Sequence, residues 1–265
     1  MAIMVRHQSK INSMAVGRVI LFLLLSVSLT ACVNKVRLQE QAGNHVQIGT
    51  AYLDSVQYNS ALKEFLEAAK LTPEDPKIHF LLGVSYFGKG LSDRAIPEFQ
   101  RAIALKPDNS EAHNYLGRIY LERGRWDDAI ASFNKALANI LYDTPSYPLY
   151  NLGLSYYGKR EYDLALNYYR AAAEKDPNDV LMTLIEINMG ICHFAKGDTE
   201  EAIRHFQKSL TLAPSLVESH YWLGLSYQKL RRRADAVAAF QSAVRLAPES
   251  GFGRKAKEAL NNMTP

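Results

Sequence analysis

Four of the seven histidines, His45, His79, His113 and His220, occupy one register of a pattern that returns along the chain. Imidazoles are frequent metal ligands and act as acid–base groups near neutral pH. Their placement argues against both roles. Copies of one register on successive helices stand roughly 10 Å apart, whereas zinc needs its donors about 2 Å from a common point. The four are therefore expected as packing residues, with no metal site. There is no serine nucleophile elbow, His-Glu-x-x-His pair or glycine-rich nucleotide loop. Gly88-Lys89-Gly90 lacks the other P-loop residues and the preceding strand, so it reads as a turn. No catalytic residue, cofactor or small-molecule substrate is expected, and the chain reads as a non-enzyme.

The elements that carry these histidines come from a six-fold internal repeat. Each copy has a glycine, an aromatic or histidine three residues later, Ala at twelve, an aromatic at sixteen, a small residue at nineteen and usually Pro at twenty-four. The first copy is Gly49, Tyr52, Ala61, Phe65, Ala68 and Pro73, and the last is Gly224, Tyr227, Ala236, Phe240, Ala243 and Pro248. Successive glycines lie 34, 34, 36, 37 and 34 residues apart, and in the third copy Leu141 stands where Pro is due. The pattern resembles the tetratricopeptide repeat. That resemblance implies an all-α fold, a right-handed superhelix (α-solenoid) of six helix-turn-helix repeats with a C-terminal capping helix. The repeats are expected at 42–75, 76–109, 110–145, 146–182, 183–216 and 217–250, with the capping helix and tail at 251–265.

Glycine and alanine suit places where helices A and B of a repeat approach closely, and the aromatics are expected to fill the gap between one repeat and the next. Proline ends helix B. Gly90, Gly124 and Gly197 lie in the A-to-B turns, where a left-handed conformation costs glycine nothing. Cys192 falls where other copies hold Ala51, Ser85, Ser155 and Ser226, and reads as a small buried residue.

The other cysteine is set differently. Residues 1–18 are polar and basic, and Val19 to Leu29 is an apolar run of 11 residues, too short for a comfortable span and shaped like a signal peptide. Leu29-Thr30-Ala31-Cys32 then resembles the bacterial lipobox. This implies a signal peptide over 1–31, a diacylglyceryl (palmitate-bearing) Cys32, and a short tether over 32–41 reaching roughly 35 Å if extended. A cysteine after an ordinary signal peptide and an uncleaved membrane segment are the alternatives. Val33 rather than Asp implies the outer membrane by the sorting pattern that comes with this resemblance, and the periplasmic face is the default. The formal charge of +4 includes three cations and no acid within the first 31 residues, leaving +1 for the rest. That balance offers no footprint for nucleic acid.

Helix A of each repeat is expected to turn positions 2, 5, 9 and 12 toward a concave groove. The candidate partner-binding residues are Val46, Thr50, Phe80, Val84, Phe87, Asn114, Arg118, Leu121, Tyr150, Leu154 and Tyr157. Further groove positions are Leu53, Tyr147, Leu184, Ile187, Ile191, Phe194, Glu218, Tyr221, Leu225 and Gln228. Such an apolar face either binds a partner helix or peptide or is covered and becomes core. Phe80 and Phe87 are the expected anchors. The set of Lys and Asn side chains that would clamp an acidic C-terminus is absent, with only Lys77, Asn114 and Arg118 present.

Mature length, six repeats soon after the acylated cysteine and the lengthened join "ILYDTPSYPLYNLG" resemble the PilF/PilW-type lipoproteins of type IV pilus biogenesis. The longer "PNDVLMTLIEINMG" departs from them. This resemblance implies a protein partner, a secretin subunit, carried to the outer membrane by the lipid anchor. Lipid-anchored scaffolds for peptidoglycan hydrolases (NlpI-like) and barrel-assembly subunits (BamD-like) are the competing readings.

Overall fold

A computed structural model describes residues 34–175 and 179–263. The expected signal peptide, Cys32 and Pro177 lie outside the described residues. Helix α1 covers 34–54. Eleven helices then alternate as B and A partners: α2 (Tyr58–Leu71), α3 (Pro76–Gly88), α4 (Ser92–Leu105), α5 (Ser110–Glu122), α6 (Trp126–Leu137), α7 (Ser146–Gly158), α8 (Tyr162–Lys175), α9 (Asp179–Lys196), α10 (Thr199–Leu212), α11 (Val217–Lys229) and α12 (Arg233–Leu246). Helix α13 (Gly251–Met263) follows. The described residues contain no strand, and the all-α fold of paired helices is as expected. The chain divides into two compact units, one ending at Lys106 after repeat two and one beginning at Pro107.

One contact recurs in every repeat. A Cβ added at Gly83 would come within 2.6 Å of the Phe99 ring, and at Gly117 within 2.6 Å of Phe133. The same clash arises for Gly49 with Phe65, Gly153 with Tyr169, Gly190 with Phe206 and Gly224 with Phe240. All six rings are fully buried. Each ring lies over the glycine of its own helix A and joins that repeat's two helices. It also reaches the next repeat as expected: Phe65 clusters with Ile78 and Leu82, Phe133 with Leu152 and Tyr169 with Ile185, and Phe206 stacks on Trp222 with centroids 6.1 Å apart. The gap between repeats is filled further by Tyr58 against Gly88 and Trp126 against Gly158. Exposed ion pairs add to this joint, Lys159 to Asp127 at 2.8 Å and Lys196 to Asp163 at 2.5 Å. Pairs so open to water are screened and add little to stability.

The A-to-B turns are also uniform. The residue seven after each repeat glycine is left-handed, with φ of 73°, 68° and 95° at Gly90, Gly124 and Gly197. Val56, Arg160 and Arg231 adopt the same conformation with φ of 59°, 63° and 57°. Each turn is closed by the same bond, in which the next N–H donates back to the carbonyl at the end of helix A, as in Leu91 to Tyr86 at 2.9 Å and Arg232 to Tyr227 at 2.9 Å. This is the Schellman arrangement, which satisfies carbonyls left open at a helix end.

The histidines are structural struts. His45 Nδ1 meets Glu64 and His79 Nδ1 meets Glu98, both at 2.7 Å, linking helices A and B of repeats one and two. In repeat five the pair is exchanged: Glu186 takes the helix A register and His205 the helix B register, 2.6 Å apart. His79, His113 and His220 bring Nε2 within 2.9 to 3.0 Å of the carbonyls of Pro73, Pro107 and Pro214.

Two stretches differ from the expected boundaries, and a third is more ordered than its length suggests. Residues 34–41, expected as a tether, form the first turns of α1, so they rise about 12 Å at 1.5 Å per residue. The extra length before repeat five is absorbed by α9, whose 18 residues compare with 13 in α7. The join before repeat four is a closed loop: the Asn139 side chain accepts from Leu141 N–H at 3.0 Å and its carbonyl from Tyr142 N–H at 3.1 Å. The capping helix lies within the expected 251–265, burying Gly253 and Ala256 and turning Arg254, Lys255 and Lys257 outward.

Candidate functional site

In the first unit, α1 and α3 supply the candidate residues. Helix α3 starts at Pro76, where no N–H is lost, and the Asp75 carboxylate caps it by accepting from Lys77 N–H at 2.8 Å. From α3 come Phe80, Val84 and Phe87, all half-buried. The Phe80 ring tilts against Phe99 with centroids 6.1 Å apart, so its base belongs to the core while its edge stays accessible. Val46 and Thr50 lie one turn apart on α1, and the Thr50 hydroxyl donates to the Val46 carbonyl at 2.8 Å. Both line a cleft of about 1250 Å³, walled by α1 on one side and the α2–α3 linker on the other. Its apolar wall includes Leu38, Ala42, Leu71 and Ile78, and its rim carries Lys35, Asp54 and Lys77. A pocket of this size and mixed lining accommodates a peptide side chain cluster or a short segment.

In the second unit, Asn114, Arg118 and Leu121 come from α5, and Tyr150, Leu154 and Tyr157 from α7. Asn114 is buried, its Oδ1 accepting from Asn151 Nδ2 at 3.3 Å, and it ties α5 to α7 beneath the surface. The Arg118 guanidinium lies 5.1 Å from the centre of the Tyr115 ring, a cation–π placement. Leu121 is half-buried against the cluster around Phe133. Tyr150 leans on Tyr169 at 5.7 Å and its hydroxyl accepts from Asn188 Nδ2 at 2.9 Å. Burial pushes the Tyr150 phenol up to about 12, and the nearby Glu218 carboxylate adds to the rise. Tyr157 tilts against Tyr162 at 5.7 Å, and Leu154 joins the same cluster with Cys192. Ile187 is buried, whereas Tyr147 and Leu184 stay exposed.

Each unit thus presents an A-helix face whose apolar side chains are rooted in the core and open at the surface. The arrangement can hold an apolar segment; it offers no nucleophile next to a base. Among the described residues no three His, Cys, Asp or Glu side chains gather into a metal-binding group, and no helix is long and apolar enough to cross a membrane. Two polar groups were missed in the sequence. Asn188 lies off the four chosen positions, although its amide reaches the Tyr150 hydroxyl. Glu111 holds position 2 of repeat three, the register read for Tyr147, Leu184 and Glu218.

A tetratricopeptide repeat family model matches residues 46–110, 85–143 and 187–251, and a second tetratricopeptide model matches 144–215. Photosystem I assembly protein Ycf3 of Rippkaea orientalis is 32% identical over 117 residues, 38% of this chain and 66% of that protein. The peroxisomal targeting signal receptor of Kluyveromyces lactis is 31% identical over 35% of this chain and 16% of its own length. The chain therefore spans less than two thirds of either relative. Among solved structures, Pseudomonas aeruginosa PilF superposes with a TM-score of 0.72 at 18% identity, over 84% of this chain and 99% of PilF. PilW, described as a widely conserved type IV pilus biogenesis factor, gives 0.75 at 20% identity over 82% and 98%. YrrB, a repeat protein with an unusual peptide-binding site, gives 0.57 at 23% identity over 73% and 97%. These likenesses concern the fold, and with the family models that cover most of the chain they lead to one assignment: the chain belongs to the tetratricopeptide repeat family.

Proposed function

We propose that this protein is a non-enzymatic lipoprotein, acylated at Cys32 and held on the periplasmic face of the outer membrane. In this reading it binds a secretin subunit through its apolar A-helix faces and supports secretin assembly in type IV pilus biogenesis. The observation that carries the binding role is the face itself. Phe80, Val84 and Phe87 in the first unit, and Tyr150, Leu154 and Tyr157 in the second, remain partly open although each is anchored in a packed core. Apolar side chains held rigid at a surface give up little entropy when a partner covers them, which suits a docked helix or semi-extended peptide. The fold likeness to PilF and PilW, which extends over nearly their full length, supports the choice of partner.

The test is a pull-down of the full-length protein from detergent-solubilised envelopes, beside a Phe80→Asp/Phe87→Asp variant. The expected result is a secretin recovered by the wild type and lost by the variant, with binding weakened by about 2 kcal/mol or more and helical circular dichroism unchanged. Recovery of peptidoglycan hydrolases or barrel-assembly proteins in its place would refute the secretin assignment. Globomycin-sensitive processing and palmitate labelling lost in Cys32→Ser would test the anchor.

A further inference from the structure

Position 2 of helix A forms a row across the four repeats of the second unit: Glu111 on α5, Tyr147 on α7, Leu184 on α9 and Glu218 on α11. The two middle residues are large, apolar over most of their surface and 49% and 43% exposed. The loop after α6 extends the apolar strip, with Ile140 at 94% and Leu141 at 80% exposed. That loop is held in place, because Asn139 closes its backbone and the Tyr142 hydroxyl donates to Glu111 at 3.2 Å. Adjacent aliphatic side chains held this far out of the core mark an interaction surface.

The carboxylates at the two ends say what kind of occupant the strip fits. Glu218 is half-buried and, among the described residues, accepts a hydrogen bond only from the Trp222 indole N–H, at 3.4 Å. Glu111 is half-buried beside Tyr142 and feels the like charge of Asp143. Among the described residues neither carboxylate has a Lys or Arg within ion-pair distance. Desolvation raises the pKa of both above the usual carboxylate value, so each ionises at a cost that an incoming cation would offset. Around the Glu111 end the charge is one-sided, since from Ala136 to Gly158 the only charged residue is Asp143, while at the other end Lys255 lies outside ion-pair distance of Glu218 and offsets its burial only in part.

We infer that this face of the second unit docks an apolar peptide segment with a Lys or Arg near each end, the two cations received by Glu111 and Glu218 and the apolar side chains by Tyr147, Leu184, Ile140 and Leu141. The inference rests on the A-helix face being a protein-binding surface and adds the chemistry of the segment. Four successive A helices place the carboxylates no more than about 30 Å apart, a distance that about nine extended residues span. Anionic lipid or an acidic tail would meet like charge at both ends.

The experiment uses the full-length protein in detergent and two fluorescein-labelled nonapeptides with the same leucine and phenylalanine centre. One carries lysine at each end and the other glutamate. Tighter binding of the lysine peptide by tenfold or more is expected, weakening with salt, with Glu218→Gln and Glu111→Gln each costing about tenfold and Leu141→Asp also reducing it. Equal binding of both peptides, no binding of either, or indifference to Glu218→Gln would overturn the inference. So would self-association of the protein through this face, seen in sedimentation as a dimer lost in Leu141→Asp. A secretin that binds the wild type and Glu218→Gln equally would overturn this inference and leave the proposed function standing.

Discussion

Repeats two and five solve the same packing problem with different side chains. Both clasp a buried phenylalanine, Phe99 or Phe206, over the glycine of helix A, and both turn through a left-handed glycine. Both brace helix A against helix B with a histidine–glutamate pair, yet repeat two has His79 with Glu98 and repeat five has Glu186 with His205. Repeat five also places His193 where repeat two has Tyr86, stacked at 5.2 Å on His205, and Cys192 where repeat two has Ser85. Where the two registers carry a His–Glu pair, in repeats one, two and five, the bond forms whichever register supplies the base. The exchange also lies deeper: the side chains of Glu186 and His205 are 10% and 11% exposed, against 26% and 16% for Glu98 and His79.

Removing the shared clasp should have the largest effect. Phe99→Ala and Phe206→Ala should each cost about 3–5 kcal/mol in denaturant unfolding. A clearly unequal pair of losses would break the equivalence of the two repeats. The struts should differ next. Glu186→Ala leaves a buried imidazole without its partner and should cost about 3 kcal/mol, whereas Glu98→Ala, in a wetter pair, should cost about 1 kcal/mol. The double exchange Glu186→His/His205→Glu recreates the orientation of repeat two and should recover most of the loss in a double-mutant cycle. If it recovers nothing, the two orientations are not interchangeable.

The turns come third. Gly90→Val and Gly197→Val should each destabilise by about 1–2 kcal/mol, and Val56→Gly should stabilise by about 1 kcal/mol, read as shifts in Tm. The smallest effect belongs to the Cys–Ser pair. Ser85 donates to the Leu81 carbonyl at 2.8 Å, so Cys192→Ser has a ready partner one turn back and should stay within about 1 kcal/mol at pH 7. The two should diverge in alkali. Burial pushes the Cys192 thiol from 9.0 up to about 12, so its contribution is intact below pH 9 and is lost as pH rises toward 12. Wild type should therefore lose stability faster than Cys192→Ser across that window, by at most about 1.4 kcal/mol per pH unit.

Much of this architecture was legible because it is written six times. Repeat glycines, alanines and prolines located the helix pairs, and the three turn glycines announced left-handed turns. The same turn at Val56, Arg160 and Arg231 stayed hidden because nothing in those side chains asks for a positive φ; only their register gives it away. The clasp was only half read: the rings do pack against the next repeat, but a spacing of sixteen does not show that each also covers the glycine of its own helix A. The exchanged strut was missed because histidines were followed along helix A alone. Setting the register four before each repeat glycine beside the one fifteen after it reads His/Glu, His/Glu, His/Ser, Leu/Tyr, Glu/His, His/Ala, and shows the reversal at once. The groove positions came from helical spacing, which cannot tell half-open Phe80 from buried Asn114 or Ile187, since burial there depends on what the neighbouring helices bring.

The uniform left-handed turns have a consequence for how this chain can grow. From each repeat glycine to its buried ring the count is sixteen in all six copies, with the turn at seven, while every departure from the 34-residue period falls between helix B and the next repeat glycine, in the connector before α7 and in the lengthened start of α9. An inserted residue inside the sixteen would rotate the ring off its glycine, but one placed in a B-to-A connector leaves both partners in phase. Those connectors are the molecule's insertion points, and a tag or reporter placed at Ile140–Leu141 should leave all six clasps intact.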